Sequence, residues 1–233
     1  MANPEITNLD CGTVQQGDCE HGDEVVNFTA GATYVEGTLL ARIVAGAITA
    51  GAVQGGTGTG TVTVLSLPHS TVVPKVGVWR LEITEAVANG GVFRLVDPNG
   101  MIVATDIRMT VGSTVATVVE VAGMLFTITD ATDFIAGNYF EITVAAGSGK
   151  LVPYSATGAA GAQNPVAVLE QELVRADAGD LAARPILKGR VAKERLVIHG
   201  GGTVSKELQD RLRAIGITPV SVAQLGRIDN PQA

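Results

Sequence analysis

Trp79-Arg80-Leu81-Glu82-Ile83-Thr84 puts its apolar residues on one parity and its polar residues on the other. Successive side chains of a strand point to opposite faces, so this run reads as a strand with one buried and one wet side. The same texture continues on both sides of it. Phe93 and Leu95 share a parity and lead into Asp97-Pro98-Asn99-Gly100, a strong turn signal. Met124, Phe126 and Ile128 alternate with Leu125, Thr127 and Thr129, and Phe140, Ile142 and Val144 alternate with Tyr139, Glu141 and Thr143. Short strands at this spacing predict a β-sandwich, with Trp79, Phe93, Phe126 and Phe140 filling the space between its sheets. Gly-rich stretches bound the region. GAVQGGTGTG (51–60) opens it and Ala145-Ala146-Gly147-Ser148-Gly149 closes it, so residues 51–146 are expected to be one module.

Composition agrees with a β-rich chain. Of 233 residues, 46% are hydrophobic and 17% charged, enough apolar side chain for two packed cores and too little charge for a disordered protein. Aromatics are only 4%, so Val, Ile, Leu and Ala must supply most of the core. The net charge of −7, without Lys/Arg clusters, argues against nucleic acid and anionic membrane as partners. The opening residues MANPEITNLD lack the basic and apolar regions of a signal peptide. The apolar stretch Leu39 to Val53 is too short and glycine-broken to span a bilayer. A soluble protein made in the cytoplasm is expected.

Outside the module, residues 1–30 are polar and acidic and read as an extended arm, with a short strand at Glu24–Thr29. Tyr34–Ile43 reads as a strand. Lys150–Tyr154 and Pro165–Glu172 read as extended segments around a small-residue loop, Ser155–Gln163. RPILKGRVAKERLVI (184–198) reads as strands around a turn at Lys188-Gly189. A single helix is predicted near the C-terminus. Ser205 is its N-cap, Leu208, Leu212 and Ile215 fall on one face, Glu207 and Arg211 pair at i, i+4, and Gly216 suits the left-handed position after its end. Residues 223–233 read as a loose tail.

Candidate chemical motifs are incomplete. Cys11, Cys19 and His21 are two thiols and one imidazole, short of a four-ligand zinc set, and read as exposed groups on the arm. His199-Gly200-Gly201-Gly202 matches an oxyanion-hole string but has no G-x-S-x-G nucleophile elbow with it. Gly147-Ser148-Gly149-Lys150 lacks the Ser or Thr of a phosphate loop and precedes no helical pattern. Asp97, Asp106, Asp130 and Asp133 sit near turns without a calcium-loop string, and His69 has no nameable partner. No catalytic, cofactor or metal residues are assigned, and a non-enzymatic protein is expected.

Joined across the module, the flanks read as one sequence: Tyr34–Ile43, Gly149-Lys150-Leu151-Val152-Pro153-Tyr154, Pro165-Val166-Ala167-Val168-Leu169, Leu187-Lys188-Gly189-Arg190-Val191, Leu196-Val197-Ile198 and the Ser205–Ile217 helix. This order resembles the lambda-like phage head decoration family, with Lys150–Tyr154 the most specific piece. The resemblance covers roughly residues 25–45 and 147–222, and residues 51–146 resemble a β-module inserted in some members. It implies a mainly β protein: a small decoration fold with a C-terminal helix, interrupted by an immunoglobulin-like sandwich. The implied division is an N-terminal capsid-binding arm (1–30), a discontinuous core (31–50 plus 147–222), the insertion (51–146) and a tail (223–233). It also implies homotrimers seated on the major capsid protein at three-fold positions of the expanded virion head, with an arm that orders on binding. A host-surface ligand for the inserted module is the alternative role.

Overall fold

The computed structural model describes residues 14–55, 60–66, 72–109, 117–131 and 133–221. Over these the protein is mainly β, with one α-helix. It divides into two compact units. Unit 1 takes the residues up to Ala41, Leu151–Ser155 and those from Pro165 onward; unit 2 takes Arg42–Lys150 and Ala156–Asn164.

Unit 2 is built from the alternating runs. Strands β5 (Ala45–Gln54), β7 (Gly77–Val87), β8 (Gly90–Val96), β9 (Ile102–Met109) and β12 (Tyr139–Ala146) form an antiparallel sheet in the order β5-β12-β7-β8-β9. Strands β6 (Thr61–Ser66), β10 (Thr117–Val121) and β11 (Met124–Thr129) form a second, in the order β10-β11-β6. Trp79, Leu81, Ile83, Phe93, Leu95, Phe140 and Ile142 of the first sheet share one core with Val62, Met124, Phe126 and Ile128 of the second. The four aromatics expected between the sheets are all there. A fifth, Phe134, comes from a loop and packs edge-on to Phe93 at 5.2 Å and Phe140 at 6.1 Å between ring centroids. Each fully buried aromatic or aliphatic side chain contributes about 1.5–3 kcal/mol, so this cluster dominates the unit's stability.

The Asp97–Gly100 turn forms as expected. Asp97 Oδ1 accepts from the amides of Asn99 and Met101, both at 2.9 Å, and Gly100 takes the left-handed φ of +81°. The Gly-rich stretch 51–60 does not begin as a boundary. β5 runs through it to Gln54, because Val53 and Gln54 are held opposite Phe140 and Tyr139 of β12. Pairing to a neighbouring strand overrides the weak local propensity of glycine. The module is therefore longer at its start than residue 51.

Unit 1 is assembled from scattered pieces. Its strands are β1 (Gln15–His21), β2 (Glu24–Phe28), β3 (Thr33–Tyr34), β4 (Leu39–Arg42), β13 (Leu151–Pro153), β14 (Pro165–Val168), β15 (Leu173–Val174), β16 (Gly179–Ala183), β17 (Ile186–Ala192) and β18 (Ile217–Val220). Eight of them make one curled sheet in the order β1-β17-β14-β4-β13-β2-β16, with β18 added in parallel to β17; β3 and β15 pair separately. Strand alternation sorts neighbours to opposite faces. Leu39 and Val168 join a cluster with Ile186, Val191, Leu208, Leu212 and Ile217, whereas Leu40 and Ala167 join Val26, Phe28, Tyr34 and Leu151.

The helix α1 (Lys206–Ala214) starts where expected, with Ser205 Oγ accepting from the Leu208 amide at 3.2 Å, and Gly216 after its end has φ +91°. Leu208 and Leu212 are buried, but Ile215 is exposed; the third buried helix residue is Gln209, whose amide donates to the Val204 carbonyl at 3.0 Å.

Three expectations for unit 1 change. The described part of the 1–30 arm is the paired strands β1 and β2, not a free extension. Tyr34–Ile43 is broken between β3 and β4 by a turn at Gly37, where a Cβ would lie 1.8 Å from the Arg195 carbonyl oxygen. Lys188-Gly189 is no turn: β17 runs through it, and Gly189 is needed because a side chain would collide with Cys19 on β1. The 223–233 tail lies outside the described residues.

Candidate functional site

A recess of unit 1 lies where a two-stranded ribbon bends. β1 pairs with β17 and β2 pairs with β16, so residues 15–28 and 179–192 run antiparallel as two long strands. Both bend between His21 and Glu24 on one strand and between Ala183 and Ile186 on the other. Gly22 allows a close approach, since a Cβ there would meet Leu187 Cδ1 at 2.6 Å, and its amide donates to the Pro185 carbonyl at 3.3 Å. Pro185 has no amide to continue the ladder, which favours a corner.

Between this bend and the segment that leaves β14 lies a recess of about 790 Å³. Leu169, Leu173 and Val25 give it apolar walls, and His21, Asp23, Glu24, Glu170, Gln171 and Arg184 give it polar ones. His21 Nε2 is 3.1 Å from Glu170 Oε2, yet it is shielded from solvent and has no aligned hydrogen bond. Arg184 Nε is 3.3 Å from Asp23 Oδ1 at the exposed rim. The polar lining thus holds three carboxylates and one guanidinium.

Cys19 shares the His21 face of β1. Burial pushes its thiol above the ordinary range, against hydrogen bonds to the backbone of Arg190 and Gln16, and the charges of Glu170 and Asp18 push the same way. Its Sγ donates weakly to the Arg190 carbonyl at 3.5 Å. A nucleophilic thiolate needs the opposite environment. Cys11 and His69 lie outside the described residues, and among the described residues no three His, Cys, Asp or Glu side chains gather as a metal site.

The other sequence candidates are dispersed. His199 stands edge-on to Tyr34 at 4.8 Å, ahead of three glycines that all have positive φ. Gly147–Lys150 leads into β13, not a helix, and Ser148 Oγ accepts from the Lys150 amide at 3.3 Å. In unit 2, Asp97 closes its turn and holds Lys75 Nζ at 2.5 Å; that hydrogen bond, with those from Met101 and Asn99, holds its carboxyl below the ordinary range. Burial raises the Asp130 carboxyl, and the charge of Asp133 adds to this. Asp133 accepts from the Asn89 amide at 3.0 Å, and Asp106 pairs with Arg108 at 2.6 Å. Sequence spacing gives no sign of the recess, because its walls come from separate segments, residues 21–25, 169–173 and 182–184.

Unit 2 carries a different surface feature. Val76 and Val78, at the start of β7, and Met101, Ile102 and Val103, at the start of β9, are all exposed large apolar residues near the Asp97–Gly100 turn.

No protein-family model matches the chain, and no curated protein matches it. Among solved structures, the crystal structure of FlgL from Xanthomonas campestris is similar at 22% identity and a TM-score of 0.31. The match covers 48% of this chain and 33% of FlgL, so it spans about a third of that protein's length. A superposition at that level does not define a shared fold. Among the described residues, no helix is long and apolar enough to cross a membrane.

Proposed function

We propose that this chain is a structural protein of a phage head. It binds the outer surface of the expanded capsid as a homotrimer at three-fold positions and stabilises the shell. One observation carries the reading. The segments whose order resembles the decoration family (β4, β13, β14, β17 and α1) are separated in sequence by unit 2, yet they meet in one sheet and two adjoining cores. A minimal chain interrupted by an insertion is expected to look like this. A protein with that role needs surfaces for itself and for the coat lattice, and each trimer gains by engaging several coat subunits at once. Binding only to the intact shell stabilises it by mass action.

The test is co-sedimentation of the purified chain with expanded, undecorated capsids of the phage that encodes it. Saturable binding at three chains per three-fold site is the expected result. A folded chain that does not bind the shell overturns the proposal.

A second reading draws on the exposed Val76, Val78, Met101, Ile102 and Val103 of unit 2. Contiguous exposed apolar surface marks interaction sites, and these residues of β7 and β9 flank one turn. In this reading the inserted module displays a binding face for a host-surface ligand on the virion. Attachment of fluorescent unit-2 protein to host cells, lost on Met101→Asp with Ile102→Asp, is the outcome that favours it.

A further inference from the structure

We propose that the recess at the ribbon bend of unit 1 is a docking site for a Lys or Arg side chain, carried between apolar neighbours on an extended segment of a partner protein. The inference does not depend on what that partner is, and it stands whether or not the chain binds a capsid.

Charge comes first. Asp23, Glu24 and Glu170 line the recess against a single Arg184, and Arg184 is already placed on Asp23. The recess is therefore negative on balance, and concave walls of low polarisability focus that field. Glu170 lies only 28% exposed, with its Oε2 3.1 Å from His21 Nε2. A carboxylate so placed can accept from an incoming ammonium or guanidinium, and such charge-assisted bonds are the strong ones.

The apolar walls narrow the ligand class. Leu169 and Leu173 back the recess, and Val25 remains 40% exposed beside them. Lys and Arg cover apolar surface with their stems while the charged head finds an acceptor. About 790 Å³ is more space than one stem fills, so apolar neighbours on the same segment have room as well. A free polyamine would satisfy the charge but leave the leucines wet.

The test uses the full chain, isotopically labelled, titrated with three probes: acetyl-Leu-Arg-Ile-amide, the same peptide with citrulline for arginine, and spermidine. The arginine peptide is expected to shift the amide signals of residues 169–173 and 182–184 saturably. Citrulline, which keeps the shape and loses the charge, is expected to weaken binding about tenfold. Glu170→Gln is expected to do the same with unchanged thermal unfolding. Should that variant fail to fold, Glu24→Gln and Leu173→Ala carry the same comparison from the other walls. Absence of shifts in these segments overturns the proposal. So do equal affinities for the arginine and citrulline peptides, or spermidine matching the arginine peptide on the same signals.

Discussion

Unit 2 and unit 1 are both β-rich, but they are built in opposite ways. In unit 2, β7, β8 and β9 are consecutive hairpin neighbours, as are β10 and β11, and one core holds both sheets together. In unit 1, no two sequence-adjacent strands pair anywhere along the β1-β17-β14-β4-β13-β2-β16 order, and two pairings, β2 with β13 and β17 with β18, are parallel. The hairpins of unit 2 close short loops, and only its β5–β12, β12–β7 and β11–β6 pairings close long ones; the unit 1 order closes long loops throughout. Non-local pairing slows folding at similar stability. Both units still bury rings: five aromatics gather in the unit 2 core, while unit 1 buries Phe28, Tyr34 and Tyr154 among aliphatic side chains.

Four experiments strain this contrast, starting with the most drastic. Replacing residues 43–149 with a short turn is expected to abolish the unfolding transition of unit 2 and keep that of unit 1, read by calorimetry. A chain that no longer folds at all would show that the units are not separable. Phe140→Ala, in the middle of the ring cluster, is expected to cost unit 2 about 3–5 kcal/mol and leave the unit 1 transition in place. Denaturant unfolding followed by Trp79 fluorescence reads unit 2 directly, since Trp79 is in that core. Gly37→Ala is the counterpart for unit 1. Left-handed backbone alone costs about 1–2 kcal/mol for a side chain, and the Arg195 carbonyl stands in the way of the new Cβ, so a loss of at least about 2 kcal/mol is expected in unit 1. If unit 2 melts earlier instead, the assignment of that turn to unit 1 stability is wrong.

The smallest effects are in pH dependence, and both belong to unit 2. The carboxyl of Asp97 is lower in the folded state than in the unfolded chain. Its contribution is therefore present above the ordinary carboxylate pKa and is lost as pH falls through the lowered folded value. Asp130 has the reverse sign: its raised folded value is a penalty at neutral pH that vanishes below the ordinary range. Asp97→Asn is expected to lower the melting temperature of unit 2 at pH 7 and to matter less in acid. Asp130→Asn is expected to raise it slightly at pH 7, with the gain gone at pH 3. Melting curves across that range that show the same sign for both variants would contradict this assignment.

The contrast also explains what could be read from the sequence. Strands β7, β8, β11 and β12 were legible because each shows its own period-two pattern, and helix α1 because Ser205 and Gly216 mark its ends. β1 was not legible. Its QQGDCEH run pairs with β17, whose sequence lies far away, and its own residues alternate only weakly between half-buried and exposed. β5 and β17 run through Gly51 and Gly189 for reasons held by other strands: β12 supports the first, and Cys19 needs the space at the second. The recess was invisible for the same reason. His21, Glu170 and Arg184 each look like an ordinary surface residue until three segments bring them together.

The crossing points of the chain have a practical consequence. Ile43 and Gly149 lie side by side, with the Gly149 amide donating to the Ile43 carbonyl at 2.9 Å and the Ile43 amide donating to the Lys150 carbonyl at 3.1 Å. Everything between them leaves and returns through one backbone doorway. From the side of β4 and β13, a cargo of a hundred residues and a tight hairpin are topologically equivalent. That makes this position a socket, at which a foreign domain with adjacent termini is expected to be exchangeable without redrawing the strands on either side.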